Sequence, residues 1–479
     1  MKSVDNEQKH IINKVKAELT IPPTLSQEGD RSEQLKQAIQ NALDNIVPEL
    51  DRTYGDNRSY RMEFLSVELN LQKDDLSQLE TLLEEALIDK MISAGHKADN
   101  QSKKEDEKQH FEKIEPGQRR VDLLSYFLKT GQFPWWAEGA SSADLEDRLR
   151  EMSAKEWQDL IKPMVLVHPE VLRRLAAQFP EDLLQQLIKK SSGRKAYSVD
   201  EIIKALKDIS SFLGDQHLAY GTRRRIVTRL YEHAFSGIIF DEETKPIFNK
   251  IMGVTFASFR DVGTGIEEWK KWLEKSDGNK YFWLNLLDDK PEIELEEEEK
   301  EVEQDRDTEI GEDDDLSVSN GGLVLLNPFI ESLFENLGLL EEGEFSQQSA
   351  RERAVCLLYY LATGHEEFPE HELALPKFLC GWPSGEPINR FLPISEYEIE
   401  ECDAMLNSAI THWEALKNTS INGFRSNFLQ RKGILREEEF GWSLYVERET
   451  QDILLEKLPW SLSVVKHEWM DEMLTVHWQ

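Results

Sequence analysis

The sequence is poor in cysteine, in long apolar runs and in positive charge. Its three cysteines, Cys356, Cys380 and Cys402, are odd in number and widely spaced, and no CxxC pair occurs. That argues against a disulfide framework and against structural zinc, and fits synthesis in a reducing compartment. Apolar stretches such as Leu323–Leu326 are far too short to cross a bilayer. The polar stretch Met1–Asn13 does not read as a secretory signal. Net charge is −35 over 479 residues, which repels nucleic acid and anionic membrane surfaces, so neither is an expected partner. No GxxxxGK[ST] and no GxSxG motif is present. Gly263-Thr264-Gly265 lacks the third glycine of a dinucleotide loop and follows no clear strand, so it is not expected to bind phosphate.

What is present can build cores. The hydrophobic fraction is 39% and the aromatic fraction 9%, and the length allows two to four domains. The acid is concentrated. Residues 288–315 hold 17 acidic and three basic side chains, a net −14 in 28 positions.

The periodicities predict an α+β chain that is mainly α: short-helix bundles, a small N-terminal strand–helix module and a small C-terminal β-sheet. In residues 1–95, Val15, Ala17 and Leu19 alternate with charged residues as a strand. Leu35, Ile39, Ala42, Leu43 and Ile46 follow at helical spacing, with Pro48 near the helix end. A second strand is predicted over Met62–Leu71, and a helix over Leu76–Met91, capped by Asp74-Asp75. Residues 96–118 read as a polar linker. Residues 119–287 read as helical, broken by Pro163, Pro169 and Pro180.

The acidic tract 288–319 cannot bury enough apolar surface to order itself and reads as a disordered tether between two bodies. In residues 320–479, helices are expected at Pro328–Leu337, Ser349–Leu361, Glu396–Leu416 and Gly423–Gln430, with a short one at Thr450–Lys457. Strands are expected at Trp442–Val446, Leu462–Lys466 and Leu474–Trp478. One internal echo stands out: Leu128-Lys129-Thr130-Gly131 before Pro134, and Leu361-Ala362-Thr363-Gly364 before Pro369. Each reads as a helix stopped by glycine, through shared stop chemistry or through duplication.

No constellation for chemistry stands out. His365 and His371 lie six apart with Pro369 between them, unlike the four-residue spacing of a zinc-protease helix. Cys380, in an apolar segment, reads as a buried thiol rather than a nucleophile. No catalytic residue, cofactor or metal is therefore expected. The candidate interaction surface comprises Trp442, Trp460, Trp469 and Trp478, whose large rings suit a core or an interface. Arg225 and Arg229 join it, sharing one helix face beside Arg223 and Arg224, able to dock an acidic partner or the acidic tract.

The C-terminal third resembles the contractile injection system tape measure family of extracellular phage-tail-like particles such as the antifeeding prophage and virulence cassettes. The resemblance lies in Asn320-Gly321-Gly322-Leu323-Val324-Leu325-Leu326-Asn327-Pro328-Phe329, Arg353-Ala354-Val355, Leu379-Cys380-Gly381, His412-Trp413, Phe428-Leu429-Gln430-Arg431 and Leu458-Pro459-Trp460. Leu128–Trp136 also looks like the family. The resemblance implies a non-catalytic assembly protein that sets tube and sheath length, present in the bacterial cytoplasm during assembly, with retention in the tube of a released particle left open. Its implied partners are inner tube subunits and baseplate hub or spike proteins, with the C-terminal domain as anchor. An assembly chaperone or adaptor that measures nothing is the alternative. As one continuous helix the chain would reach roughly 700 Å. Its 17 prolines and 25 glycines interrupt any such helix.

Overall fold

The computed structural model describes residues 28–54, 59–62, 79–99, 111–114, 116–191 (except 138), 196–215, 221–261 (except 241 and 243), 271–272 and 315–478 (except 439 and 440), with positions 15, 65, 67 and 69. The chain divides into two compact units, Met1–Asp122 and Leu123–Gln479.

In the first unit, α1 (Glu28–Tyr54) packs on α2 (Leu79–Asp99). Ile46, Leu50 and Leu87 are buried between them, with Leu43, Leu83, Leu65 and Val67 against this small core. Strands β1 (Ser59–Met62) and β2 (Phe111–Ile114) pair antiparallel. Three sequence expectations shift here. Pro48 lies inside α1 rather than near its end. The second strand is found at 59–62, whereas Leu65, Val67 and Leu69 are half-buried without strand pairing. The expected linker 96–118 contains β2, because Phe111 and Ile114 have partner positions on β1 that no local pattern reveals. The first expected strand lies outside the described residues apart from Val15, which is exposed and irregular.

The second unit begins, from Leu123 within α3 (Pro116–Thr130), with a layer of helices that continues with α4 (Ser142–Glu151), α5 (Ala154–Val167), α6 (Glu170–Gln178), α7 (Glu181–Ser191), α8 (Ala196–Asp215), α9 (Thr222–Ile239) and α10 (Thr244–Asp261). Capping sets several boundaries. Ser153 accepts from the Glu156 N–H while Glu156 reaches back to the Ser153 N–H, satisfying two end donors of α5. Pro169 precedes α6 and Pro180 separates α6 from α7, as expected, but Pro163 sits within α5 and does not break it. Leu175, Leu183, Leu187, Ile209, Ala234, Phe235 and Ile251 close one apolar core.

The C-terminal body has its own core. Its helices are α11 (Asn327–Asn336), α12 (Gln348–Thr363), α13 (Ala374–Leu379), α14 (Glu396–His412) and α15 (Ile421–Phe424), the last running into a π turn over Arg425–Leu429. Strands β4 (Leu340–Glu341) and β5 (Glu344–Phe345) form a small hairpin. A five-stranded sheet of β3 (Leu316–Val318), β6 (Gly433–Glu438), β7 (Gly441–Val446), β8 (Val464–Val465) and β9 (Leu474–Trp478) has the order β3-β6-β7-β9-β8. Only β7 and β9 pair in parallel. Leu435, Leu444, Val446 and Leu474 turn inward onto the helices.

The mainly helical class with a small terminal sheet stands as expected. The end of the expected tether is ordered: Leu316–Val318 is an edge strand, and Asp315 accepts from Arg436 Nε at 2.6 Å. Residues 288–314 lie outside the described residues. The helical layer and the C-terminal body, expected as two bodies, belong to one compact unit.

Candidate functional site

The seam between the helical layer and the C-terminal body holds a group of charged side chains out of water, Arg174, Glu370 and Lys377. It starts from two helix stops with one chemistry. Gly131 and Gly364 both adopt left-handed backbone, with φ of 74° and 75°. Thr130 Oγ1 donates to Tyr126 O at 2.9 Å and accepts from Gln132 N at 3.1 Å. Thr363 Oγ1 donates to Tyr359 O at 2.9 Å and accepts from His365 N at 3.1 Å. Each stop is followed by Phe-Pro and a 3₁₀ turn, Trp135–Ala137 after Pro134 and Glu370–Glu372 after Pro369. The sequence echo thus extends beyond the stop signal.

The two copies also touch. His371 of the second stacks on Phe133 of the first at 3.8 Å between centroids. A Cβ on Gly131 would fall 2.4 Å from Glu370 Oε1, so only glycine leaves room for that carboxylate.

Glu370 is fully buried between Arg174 of α6 and Lys377 of α13, at 3.0 and 2.7 Å. One carboxylate thus faces two cations. Carbonyls supply the balance. Arg174 Nη1 donates to Leu128 O and Lys129 O at the C-terminus of α3, at 2.7 and 2.8 Å, and Nη2 donates to Gly385 O. The negative end of the α3 dipole favours that cation. Lys377 Nζ donates to Ser384 O and Glu386 O. Burial lowers the Lys377 pKa, opposed by the adjacent Glu370 carboxylate.

Around this triad the seam remains polar. Gln178 donates to Ile388 O at 2.7 Å and accepts from Glu370 N at 3.0 Å. Arg390 reaches Glu146 at 2.7 Å, and its backbone N–H donates to Ala177 O at 3.1 Å. Arg224 donates to Asn389 Oδ1 at 2.9 Å. An open cleft of about 620 Å³ lies along the seam, lined by Ser141 and Ser142 at the start of α4, by Glu366, Glu367 and Glu372, and by Arg390.

The sequence candidates fall in several places. Arg225 donates to Glu352 Oε2 at 2.8 Å, an acidic partner within the C-terminal body. Arg229 is exposed. Arg225→Ala is expected to cost about 1–2 kcal/mol, and Arg229→Ala less than about 0.5, as checked by denaturant titration. The tryptophans pack inward onto the C-terminal core. Trp469 is buried, stacked on His467 and tilted against Phe334 and Phe345. Trp442 lies against Phe378, Trp460 against Phe329, and Trp478 Nε1 donates to Asp452 at 2.8 Å. The structure thus brings Arg225 to the seam but distributes the tryptophans around the core. Arg174 and Glu370 had no sequence signal beyond their charge, because they lie 196 positions apart.

The three cysteines are free and buried, and burial pushes all three thiols up, Cys402 to about 12. Among the described residues no group of His, Cys, Asp and Glu has metal-binding geometry. His371 instead titrates abnormally low. Burial, then the Arg390 guanidinium, lower its pKa to about 3, and burial lowers His467 to about 4. Although Glu372 lies 3.7 Å from His371 Nε2, a neutral ring makes no ion pair there. The unfolded chain therefore takes up these protons first as pH falls from 6.5, the ordinary histidine value. The histidines' share of stability is full above that value and declines towards pH 3–4. Denaturant titrations should lose about 1.4 kcal/mol per pH unit per histidine between roughly pH 6 and 4. His371→Phe, which keeps an aromatic ring against Phe133, should reduce that slope by about one proton.

One comparison decides the family. The family model described as contractile injection system tape measure protein matches residues 9–478, nearly the whole chain. The chain belongs to the contractile injection system tape measure family. No curated protein and no solved structure gives a significant match. The stretch that carries the resemblance, Asn320–Phe329, runs through the core of the C-terminal body. Asn320 Nδ2 donates to Glu372 O, Gly321 N donates to Arg431 O, and Leu325 O accepts from Trp460 Nε1. A tape measure family is generally structural rather than catalytic, and no described helix is long and apolar enough to cross a membrane.

Proposed function

We propose that this protein sets the length of the tube and sheath of a contractile particle. Its second unit serves as the body that anchors to the baseplate hub or the growing tube end. The observation that carries the reading is the family match over residues 9–478. The fold constrains how such a ruler works. The longest described helix, α1, has 27 residues and spans about 40 Å. Reach therefore comes from the arrangement of parts rather than from one rod. The described residues on either side of the acidic tract belong to the same compact unit, so its length alone need not extend the molecule.

The test is two series of insertions, one in the acidic tract and one ahead of Leu123, with particle lengths measured by electron microscopy. Length that follows either series supports the ruler. Particles that assemble at unchanged length in both overturn it. The absence of a long helix among the described residues favours a second reading, an adaptor or assembly chaperone for tube or spike proteins. Mature particles lacking the protein, together with unchanged lengths, would support that one.

A further inference from the structure

We propose that the polar seam in Leu123–Gln479 is a joint that opens while the helical layer and the C-terminal body each stay folded. The inference concerns the isolated chain and does not depend on its role in length control. The buried apolar side chains of this unit fall into two separate clusters, one on each side. Each cluster is closed on itself. Between them run ion pairs and hydrogen bonds: Arg174 to Glu370, Arg225 to Glu352, Arg390 to Glu146, Arg224 to Asn389 and Gln178 to Ile388 O. The ring contacts of His371 with Phe133 and Phe127, and of Phe391 with the Arg224 guanidinium, are aromatic links across it.

An interface of this composition separates differently from an apolar one. Opening returns Arg174, Glu370 and Lys377 to water, and their recovered hydration offsets the lost pairing. Opening an apolar core has no such compensation. The seam should therefore open below the free energy of global unfolding, as a sub-global step. The covalent link permits it, since residues 273–314 can span up to about 140 Å. Glu370 is the latch, because it joins Arg174 across the seam while Lys377 holds it on its own side.

Native-state hydrogen exchange on the full chain tests this. In the unaltered protein the amides of Glu370 and Arg390, which donate across the seam to Gln178 Oε1 and Ala177 O, should exchange through an opening insensitive to denaturant. Amides in the middle of α9 and α12 should wait for unfolding. Arg174→Met, close in volume and leaving the Glu370–Lys377 pair, should speed exchange at those two amides at least tenfold and leave the two cores unchanged. Equal acceleration in both cores would overturn the joint. So would seam amides in the unaltered protein as protected as those of α9 and α12, a readout that stands even if the variant does not fold.

Discussion

Gly322→Ala is expected to abolish folding of the C-terminal body. A Cβ at this position would fall 1.7 Å from Phe428 O, 2.6 Å from its carbonyl carbon and 2.7 Å from Leu429 Cα. The struck atoms are backbone, held in the π turn over Arg425–Leu429, so no rotamer change relieves the clash. Ordinary overpacking costs about 1–3 kcal/mol. Here the 3₁₀ segment Gly321–Leu326 must move away from the π turn, taking fully buried Leu323, Val324, Leu325 and Leu326 with it. We expect a loss of about 4 kcal/mol or more, read as lost near-ultraviolet dichroism and a lowered unfolding midpoint. Gly321→Ala is the control. Its Cβ would meet Arg431 O at 3.2 Å, a contact that a few tenths of an ångström relieve. Equal stability of Gly322→Ala and the parent would refute this account of the Gly-Gly pair.

Asp452→Ala is expected to cost about 3–5 kcal/mol. Asp452 and Arg431 are both 1% exposed at the side chain and meet through two bonds of 2.7 and 2.8 Å. Asp452 also accepts from Trp478 Nε1 and from Glu449 N. Alanine leaves the Arg431 guanidinium buried without its carboxylate and releases the end of β9. Replacing both members together, Arg431→Met with Asp452→Leu, should cost less than the single change, because no charge is then stranded. The pair also sets an acid limit. Burial pushes the Asp452 carboxyl up, but the Arg431 bonds, the Glu449 N–H and the Trp478 N–H outweigh it and hold the pKa below its usual value. A depressed folded-state carboxylate contributes stability that is full above its ordinary range and lost as pH falls through the folded value. Asp452→Asn should lose that part of the acid limb in denaturant titrations below about pH 4.

Local chemistry made much of the fold legible. The helices expected at Pro328–Leu337 and Ser349–Leu361 match α11 and α12 closely, because an early proline starts one and the Thr363-Gly364 stop ends the other. The alternation over Trp442–Val446 and Leu474–Trp478 gave β7 and β9. Strand β6 was not legible. Gly433–Glu438 ends in three charged residues and owes its place to β3 and β7 on either side.

The candidate surface divides the same way. Trp469 has the size and hydrophobicity of a core residue or of an interface residue, and spacing alone cannot choose. The contact with Phe334 and Phe345 chooses the core.

By itself the sequence determined the helical class, the two glycine stops, the burial of Cys380 and the family, since each follows from residues close together or from a pattern spread over the whole chain. Only the tertiary structure decided that the helical layer folds back onto the C-terminal body. That depends on Arg174 meeting Glu370 across 196 positions and on Arg225 meeting Glu352 across 127. A charge in a sequence is ordinarily solvated, and only the packed chain shows which carboxylate has replaced its water.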